Sequence, residues 1–496
     1  MGGEKTQMQD ILMYISDQHA WLQQGYAGDP IVKTPNLDRI AAQGTVMQNC
    51  CTSYPLCVPA RMSMMSGQTA SHCRVMSNMT ALDSNKATFA HCLDAGGYET
   101  VLCGRMHFVG PDQRHGFEKR IAGEQTPIFH NRPNEAFKKE RGVHDHTPQG
   151  TLECLRYIGA GNSPTLEYDR YVVSEALKYL KNDHEIPQFL CVGTYGPHHP
   201  YVAPKELYEY YLERVSVPEE SFLYEEHPAL KGYLTQDTDP EVVRAVRAAY
   251  YGMVEFEDMQ IGKVYDAFQE YLQRTGHKGI FVYVSDHGEH AGYRGYYGKS
   301  TFYEPSIHVP MIFSGDGILR GREIQGAVSL MDLGPTLCEL AGVPQIPEAD
   351  GISLCPQLQE GKEDLERMVI SEVGGECRRG GLKQGEFYYG QMVKYHDFKL
   401  LHFHGYDEED ILYRLDTDPQ EAVNVIGQYP EIAEKMNDYR KKHTPNLEQI
   451  RRSAESQKQN LKILMKCNLD DEEERWHAPE CARRCPELLV QSKLLS

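Results

Sequence analysis

Apolar runs of strand length alternate along this chain with segments whose apolar positions recur at helical spacing. Residues 9–16 read Gln-Asp-Ile-Leu-Met-Tyr-Ile-Ser, and similar runs occur at 99–103, 189–194 and 280–285. A strand apolar at successive positions buries both faces, as interior strands of a parallel sheet do. Helical patterns cover 34–43, ended by Gly44, and 169–180. This alternation predicts an α/β fold, a large and mostly parallel sheet sandwiched by helices. The pattern changes after the charged stretch Glu360-Gly361-Lys362-Glu363-Asp364. Strand-like runs at 368–372, 386–389 and 398–403, then a helix over 429–442, predict a smaller C-terminal α+β subdomain. The expected boundaries are a main domain over 1–365, a subdomain over 366–445 and a polar helical tail over 446–496.

In open parallel sheets functional residues gather at the carboxyl ends of the strands. Each apolar run here ends in chemistry. Asp17-Gln18 closes the first, Gly104-Arg105-Met106-His107 follows 99–103, and Pro197-His198-His199-Pro200 follows 189–194. Asp286-His287-Gly288-Glu289 follows 280–285, with Lys299 further on. Asp17, Asp286 and His287 offer oxygen and nitrogen donors suited to a hard or borderline divalent cation, and Gln18 offers an amide oxygen. In Cys57-Val58-Pro59-Ala60-Arg61, Pro59 suits the first residue of a helix and Gly67 its stop. Cys57 then stands at a helix N-terminus, where free N–H groups favour an anion, with Arg61 one turn on.

The net charge of −20 argues against nucleic acid or an anionic membrane as partner. No run of 18 apolar residues spans a bilayer, and no signal-peptide core precedes the first strand, so a cytoplasmic location is expected. Fourteen cysteines there are expected to be mostly reduced. Cys481 and Cys485 near His477 read as an exposed helix with two thiols, since a fourth metal ligand is missing.

Cys57-x-Pro59-x-Arg61 resembles the maturation signature of the type I, formylglycine-dependent sulfatases of the alkaline phosphatase superfamily. The other motifs follow in that family's order from residue 9 to about 440. They include Gly292, Gly295 and Lys299 after Asp286-His287, and the C-terminal Leu412-Tyr413-Arg414-Leu415 with Asp418-Pro419-Gln420-Glu421. Gln18 stands where the family commonly has a second Asp, as in choline-sulfatase-like and phosphonate-monoester-hydrolase-like relatives; Arg105 stands for a usual Lys, and His308, where many relatives have Arg, reads as structural. The resemblance implies that a formylglycine-generating enzyme oxidises Cys57, whose aldehyde hydrate attacks sulfur. It implies metal ligation by Asp17, Gln18, residue 57, Asp286 and His287, with Ca2+ first and Mg2+ or Mn2+ as alternatives. Arg61, Arg105 and Lys299 would neutralise the sulfate, His198 with Lys299 would protonate the leaving alcohol, and His107 would assist proton removal from the hydrate. The stretch 104–120 is most similar to choline sulfatases.

The implied substrate is a sulfate ester of a small molecule or saccharide. Two other readings stand beside it: a phosphonate monoester or phosphodiester hydrolase with the same machinery, and an unmodified oxyanion-binding pseudoenzyme. Self-association through the tail is expected, with a frayed terminus as an equal alternative.

Overall fold

The computed structural model describes residues 9–126, 153–155, 157–217, 226–231, 239–376, 387–406, 410–464, 466, 476 and 488–490. The strands up to residue 329 are β1 Gln9–Asp17, β2 Thr45–Cys51, β3 Glu99–Gly104, β4 Lys119–Ala122, β5 Ile158–Ala160, β6 Gln188–Pro197, β7 Tyr201–Ala203, β8 Lys278–Ser285, β9 Met311–Gly315 and β10 Arg322–Ser329. An eight-stranded sheet runs in the order β10-β2-β9-β8-β1-β6-β3-β4. β9 is antiparallel to both neighbours, and the other pairings are parallel.

The continuous apolar runs are explained by two covered faces. Ile11, Met13 and Ile15 of β1, with Ile280, Val282 and Val284 of β8, enter one core cluster. Leu12 and Tyr14, with Phe281 and Tyr283, enter another. Helices Cys57–Ser66, Phe89–Ala95 and Leu333–Ala341 cover the first face through Val58, Phe89 and Leu337. Helices Pro35–Gln43, Pro164–Leu180 and Pro240–Thr275 cover the second through Leu37, Val172 and Val264. Each such apolar side chain contributes about 1.5–3 kcal/mol by burial. The helix expected over 169–180 starts earlier, at Pro164, because Ser163 caps it: Ser163 Oγ accepts from Leu166 N at 3.3 Å.

The C-terminal part holds a four-stranded antiparallel sheet of β11 Val369–Glu376, β12 Phe387–Tyr395, β13 Phe398–His404 and β14 Ile411–Arg414. Helix Pro430–Lys442 packs Ala433 and Met436 against Val393, Leu400 and Leu412. Helix Leu447–Leu464 follows, and β15, Leu488–Val490, pairs antiparallel with β5. Cys481, Cys485 and His477 lie outside the described residues. Among the described residues no helix is long and apolar enough to cross a membrane.

Candidate active site

Because β3, β6, β1 and β8 are adjacent and parallel, their carboxyl ends share one edge of the sheet. Asp17 at the end of β1 is level with Pro197, and Ser16 is level with Ser285. The chain crosses itself closely there: a Cβ on Gly193 would lie 1.8 Å from the Arg105 carbonyl oxygen. Gln18, His107 and Ser300 take left-handed φ values of 69°, 59° and 80°. Such conformations are costly and concentrate where the surroundings must hold a side chain in one orientation.

The helix predicted from Pro59 opens at Cys57, two residues before the expected start, so Pro59 is its third residue. Proline is tolerated there because the first turn's N–H groups have no partner within the helix. Gly67, with φ of 66°, ends it as expected. Cys57 is 1 % exposed.

Asp17, Cys57, Asp286 and His287 each place one donor atom within 4.8 Å of the others. His287 Nε2 is 3.1 Å from Cys57 Sγ and 3.7 Å from an Oδ1 of both Asp17 and Asp286. His287 Nδ1 lies 3.1 Å from the Gly288 carbonyl, which takes its proton and leaves Nε2 to face the cluster. The opposite carboxylate oxygens are held by arginine. Arg61 gives Nε to Asp286 Oδ2 at 2.7 Å and Nη2 to Asp17 Oδ2 at 3.2 Å. Arg105 gives Nε to the same Asp17 oxygen at 2.7 Å.

Burial works against a charged His287, yet Asp286 and Cys57 outweigh it and raise its pKa. Burial also opposes the Cys57 thiolate, but Lys299 and His287 pull the thiol well below its usual range. Two carboxylate oxygens and an imidazole nitrogen fit a hard or borderline divalent cation.

Lys299, half-buried, donates to Gln18 Oε1 at 2.5 Å and to His198 Nε2 at 2.6 Å. An ammonium has no lone pair, so His198 accepts at Nε2 and donates from Nδ1 to the His199 carbonyl at 2.7 Å. Burial first, then Lys299, lowers the His198 pKa. His107 Nδ1 accepts from Arg105 Nη2 at 2.7 Å, and burial followed by Arg105 lowers its pKa too. His308 is held by Glu304 and the Gln48 carbonyl and stacks on Trp21.

Two acidic residues complete this arrangement without having been singled out by sequence. Glu124, buried, accepts from Arg105 Nη1 at 3.2 Å and from His107 N at 2.9 Å; against the penalty of burial, Arg105 and Arg120 hold its carboxyl down at about 2. Glu289 accepts from Gln18 Nε2 and from the backbone N–H groups of Ala291 and Gly298 at 2.7 and 2.8 Å. It thus orients the Gln18 amide while bracing the loop that leads to Lys299. Glu289 was visible as the last residue of Asp-His-Gly-Glu, whereas nothing local marks Glu124.

The family model described as Sulfatase matches residues 9–343, and that of the N-sulphoglucosamine sulphohydrolase C-terminal region matches 288–451. A choline-sulfatase of Rhizobium meliloti (strain 1021) is 32% identical over 411 residues, 79% of this chain and 77% of that protein. Arylsulfatase K of Bos taurus is 26% identical, over 86% of this chain and 80% of its own. A phosphonate monoester hydrolase of Agrobacterium radiobacter shares the fold, with a TM-score of 0.70 at 22% identity, over 88% of this chain and 96% of that one. The alkaline-phosphatase-like sheet, the motifs at its strand ends and these likenesses agree: the chain belongs to the sulfatase family and is a sulfuric ester hydrolase.

Proposed function

We propose that position 57 carries formylglycine made from Cys57 by a dedicated maturation enzyme, and that the substrate is the sulfate ester of a small organic molecule or saccharide. The observation that carries this reading is the position of Cys57 Sγ, 3.1 Å from His287 Nε2 and 3.8 Å from Asp17 Oδ1. The sulfur stands in for the hydroxyl oxygens of an aldehyde hydrate. A divalent cation, Ca2+ before Mg2+ or Mn2+, would be held by Asp17, Asp286, His287 and residue 57, with Gln18 beside them. When bound it supplies positive charge to the sulfate and favours ionisation of a hydroxyl at residue 57.

The chain's own groups do the rest. Lys299 and His198, in hydrogen-bond contact, hold the proton that the leaving alcohol needs. His107 accepts from Arg105 at Nδ1 and so carries its proton on Nε2, from which it donates to the oxygen at residue 57 and assists as the hydrate gives up its proton. Arg61 and Arg105 act through Asp17 and Asp286, whose orientation they set. The choline-sulfatase relative favours a small alkyl sulfate.

Gln18, in place of a second carboxylate, favours one further reading, in which the same machinery cleaves phosphonate monoesters or phosphodiesters. The test is the mass of the peptide containing residue 57, from protein made in a host with the maturation enzyme. Formylglycine is the expected result, and an intact thiol overturns the mechanism in favour of an oxyanion-binding protein. The ratio of kcat/KM for a sulfate ester and a phosphodiester then separates the two hydrolytic readings.

A further inference from the structure

The end of β6 is clamped from behind. Asp169, on the helix Pro164–Leu180, is wholly buried and takes two adjacent backbone N–H groups on one carboxylate. Tyr195 N donates to Oδ1 at 2.7 Å, and Gly196 N donates to Oδ2 at 2.9 Å. Such charge-assisted bonds are shorter and stronger than neutral ones. Gly196 lets the carboxylate come this close, since a Cβ there would meet Asp169 Oδ2. From that fork the chain closes a turn, with His198 N donating to the Tyr195 carbonyl at 3.1 Å. The backbone that carries His198 is thus pinned to a helix on the face of the sheet.

The Tyr195 ring acts on the side chains in turn. The Arg105 guanidinium carbon lies over it, 4.5 Å from the centroid. The His198 ring meets it edgewise at 4.8 Å and 62°. Tyr195 therefore spaces the cation that holds Asp17 from the imidazole that meets Lys299. His198 has only two ring nitrogens with which to bond, Nδ1 to the His199 carbonyl and Nε2 to Lys299. Those two bonds alone leave the ring free to rock about the line that joins them. Packing by Tyr195, and by the His199 ring at 3.9 Å and 38°, removes that freedom. A proton donor must reach the leaving oxygen at hydrogen-bond distance, and a displacement of about 1 Å costs about 10²-fold in rate.

We propose that Asp169 and Tyr195 are positioning residues for proton transfer to the leaving alcohol: given that His198 with Lys299 serves that step, as proposed above, Asp169 fixes the backbone of His198 and Tyr195 fixes its ring. Both are wholly buried, so they act through His198 and not on the substrate.

The test compares kcat on an alkyl sulfate and on an aryl sulfate in the matured, metal-loaded enzyme, with His198→Ala as reference. An alkoxide needs the proton and a stabilised phenolate hardly does, so a misplaced donor slows the alkyl ester far more. Asp169→Asn keeps the size and one acceptor but turns an NH2 group toward a backbone N–H. It is expected to lower kcat on the alkyl sulfate by about 10²-fold with KM little changed, and on the aryl sulfate by much less. Tyr195→Leu is expected to show the same split, and Tyr195→Phe, which keeps the ring, to behave as the unaltered protein. Damage reaching Asp17 through Arg105 would slow both esters alike, so the split isolates His198. If His198→Ala changes the alkyl-to-aryl ratio while Asp169→Asn and Tyr195→Leu leave it as in the unaltered protein, the positioning role is overturned and the role of His198 stands. An unchanged ratio in His198→Ala overturns both. Should Asp169→Asn fail to fold, the contrast between Tyr195→Leu and Tyr195→Phe decides.

Discussion

Arg61 Nε lies 2.7 Å from Asp286 Oδ2, and both side chains are wholly buried. The same guanidinium reaches Asp17 Oδ2 at 3.2 Å. One cation thus helps to set the rotation of two carboxylates, whose Oδ1 atoms each lie 3.7 Å from His287 Nε2. Removing one member of such a pair typically costs about 3–5 kcal/mol, because the other charge remains buried. Arg61→Met is therefore expected to lower the melting temperature strongly in chelator. Added Ca2+ compensates the stranded carboxylates and is expected to raise it more in the variant than in the unaltered protein. Scanning calorimetry with and without Ca2+ checks this; equal calcium shifts in the two proteins would refute it.

Lys299 donates to both His198 and Gln18, and in the proposed mechanism its proton goes to the leaving group. Lys299→Met is expected to slow hydrolysis of an alkyl sulfate by about 10²–10⁴-fold, the usual size of general acid catalysis. An aryl sulfate leaves as a stabilised phenolate and is expected to lose much less. Comparable losses in kcat/KM on both substrates would mean that Lys299 serves only to bind charge.

Glu257, on the helix behind β1 and β6, is wholly buried and accepts from Ser16 Oγ at 2.9 Å and Thr194 Oγ1 at 2.5 Å. Asp169 faces it across Gly196, where a Cβ would lie 2.7 Å from Asp169 Oδ2 and 3.2 Å from Glu257 Oε2. Burial above all raises both carboxyls, Glu257 from 4.5 to about 7. The folded state therefore keeps a proton that the unfolded chain releases. The resulting stabilisation is complete below about pH 4.5 and is lost as pH rises through about 7. Between those limits Glu257→Gln is expected to lose about 3 kcal/mol less stability than the unaltered protein. Urea unfolding of both proteins across that range measures the difference, and parallel curves would exclude the shift.

Lys399 on β13 is wholly buried, donates to the Phe302 carbonyl at 2.8 Å and to Glu304 Oε1 at 3.1 Å, and pairs with Glu421. Lys394 on β12 reaches the other Glu304 oxygen at 3.1 Å. These contacts fasten the C-terminal sheet to the segment just after Lys299. Lys399→Met leaves two buried carboxylates short of a cation and is expected to destabilise by about 3–5 kcal/mol. Adding Glu421→Gln is expected to recover part of that loss. A double-mutant cycle in denaturant checks the coupling, and strictly additive effects would exclude it.

Features that depend on short stretches of chain were legible before folding. Apolar runs marked β1, β3, β6 and β8, and their last residues carried Asp17, Arg105, His107, His198, Asp286 and His287, because a strand buried on both faces can place polar chemistry only at its end. The Cys57 helix was visible from Pro59 and Gly67, though its first turn begins earlier than proline alone suggests.

Tertiary structure decided which distant groups became partners. Reversal of β9, pairing of β15 with β5, and the acids Glu124, Asp169 and Glu257 carry no local pattern. The contacts of Tyr195 with Asp169, Arg105 and His198 depend on how the helix Pro164–Leu180 and the end of β3 meet the end of β6. A buried charge is satisfied by whatever the packing brings within hydrogen-bond reach. That neighbour is set by strand order and register across the whole chain, not by the residues beside it in sequence.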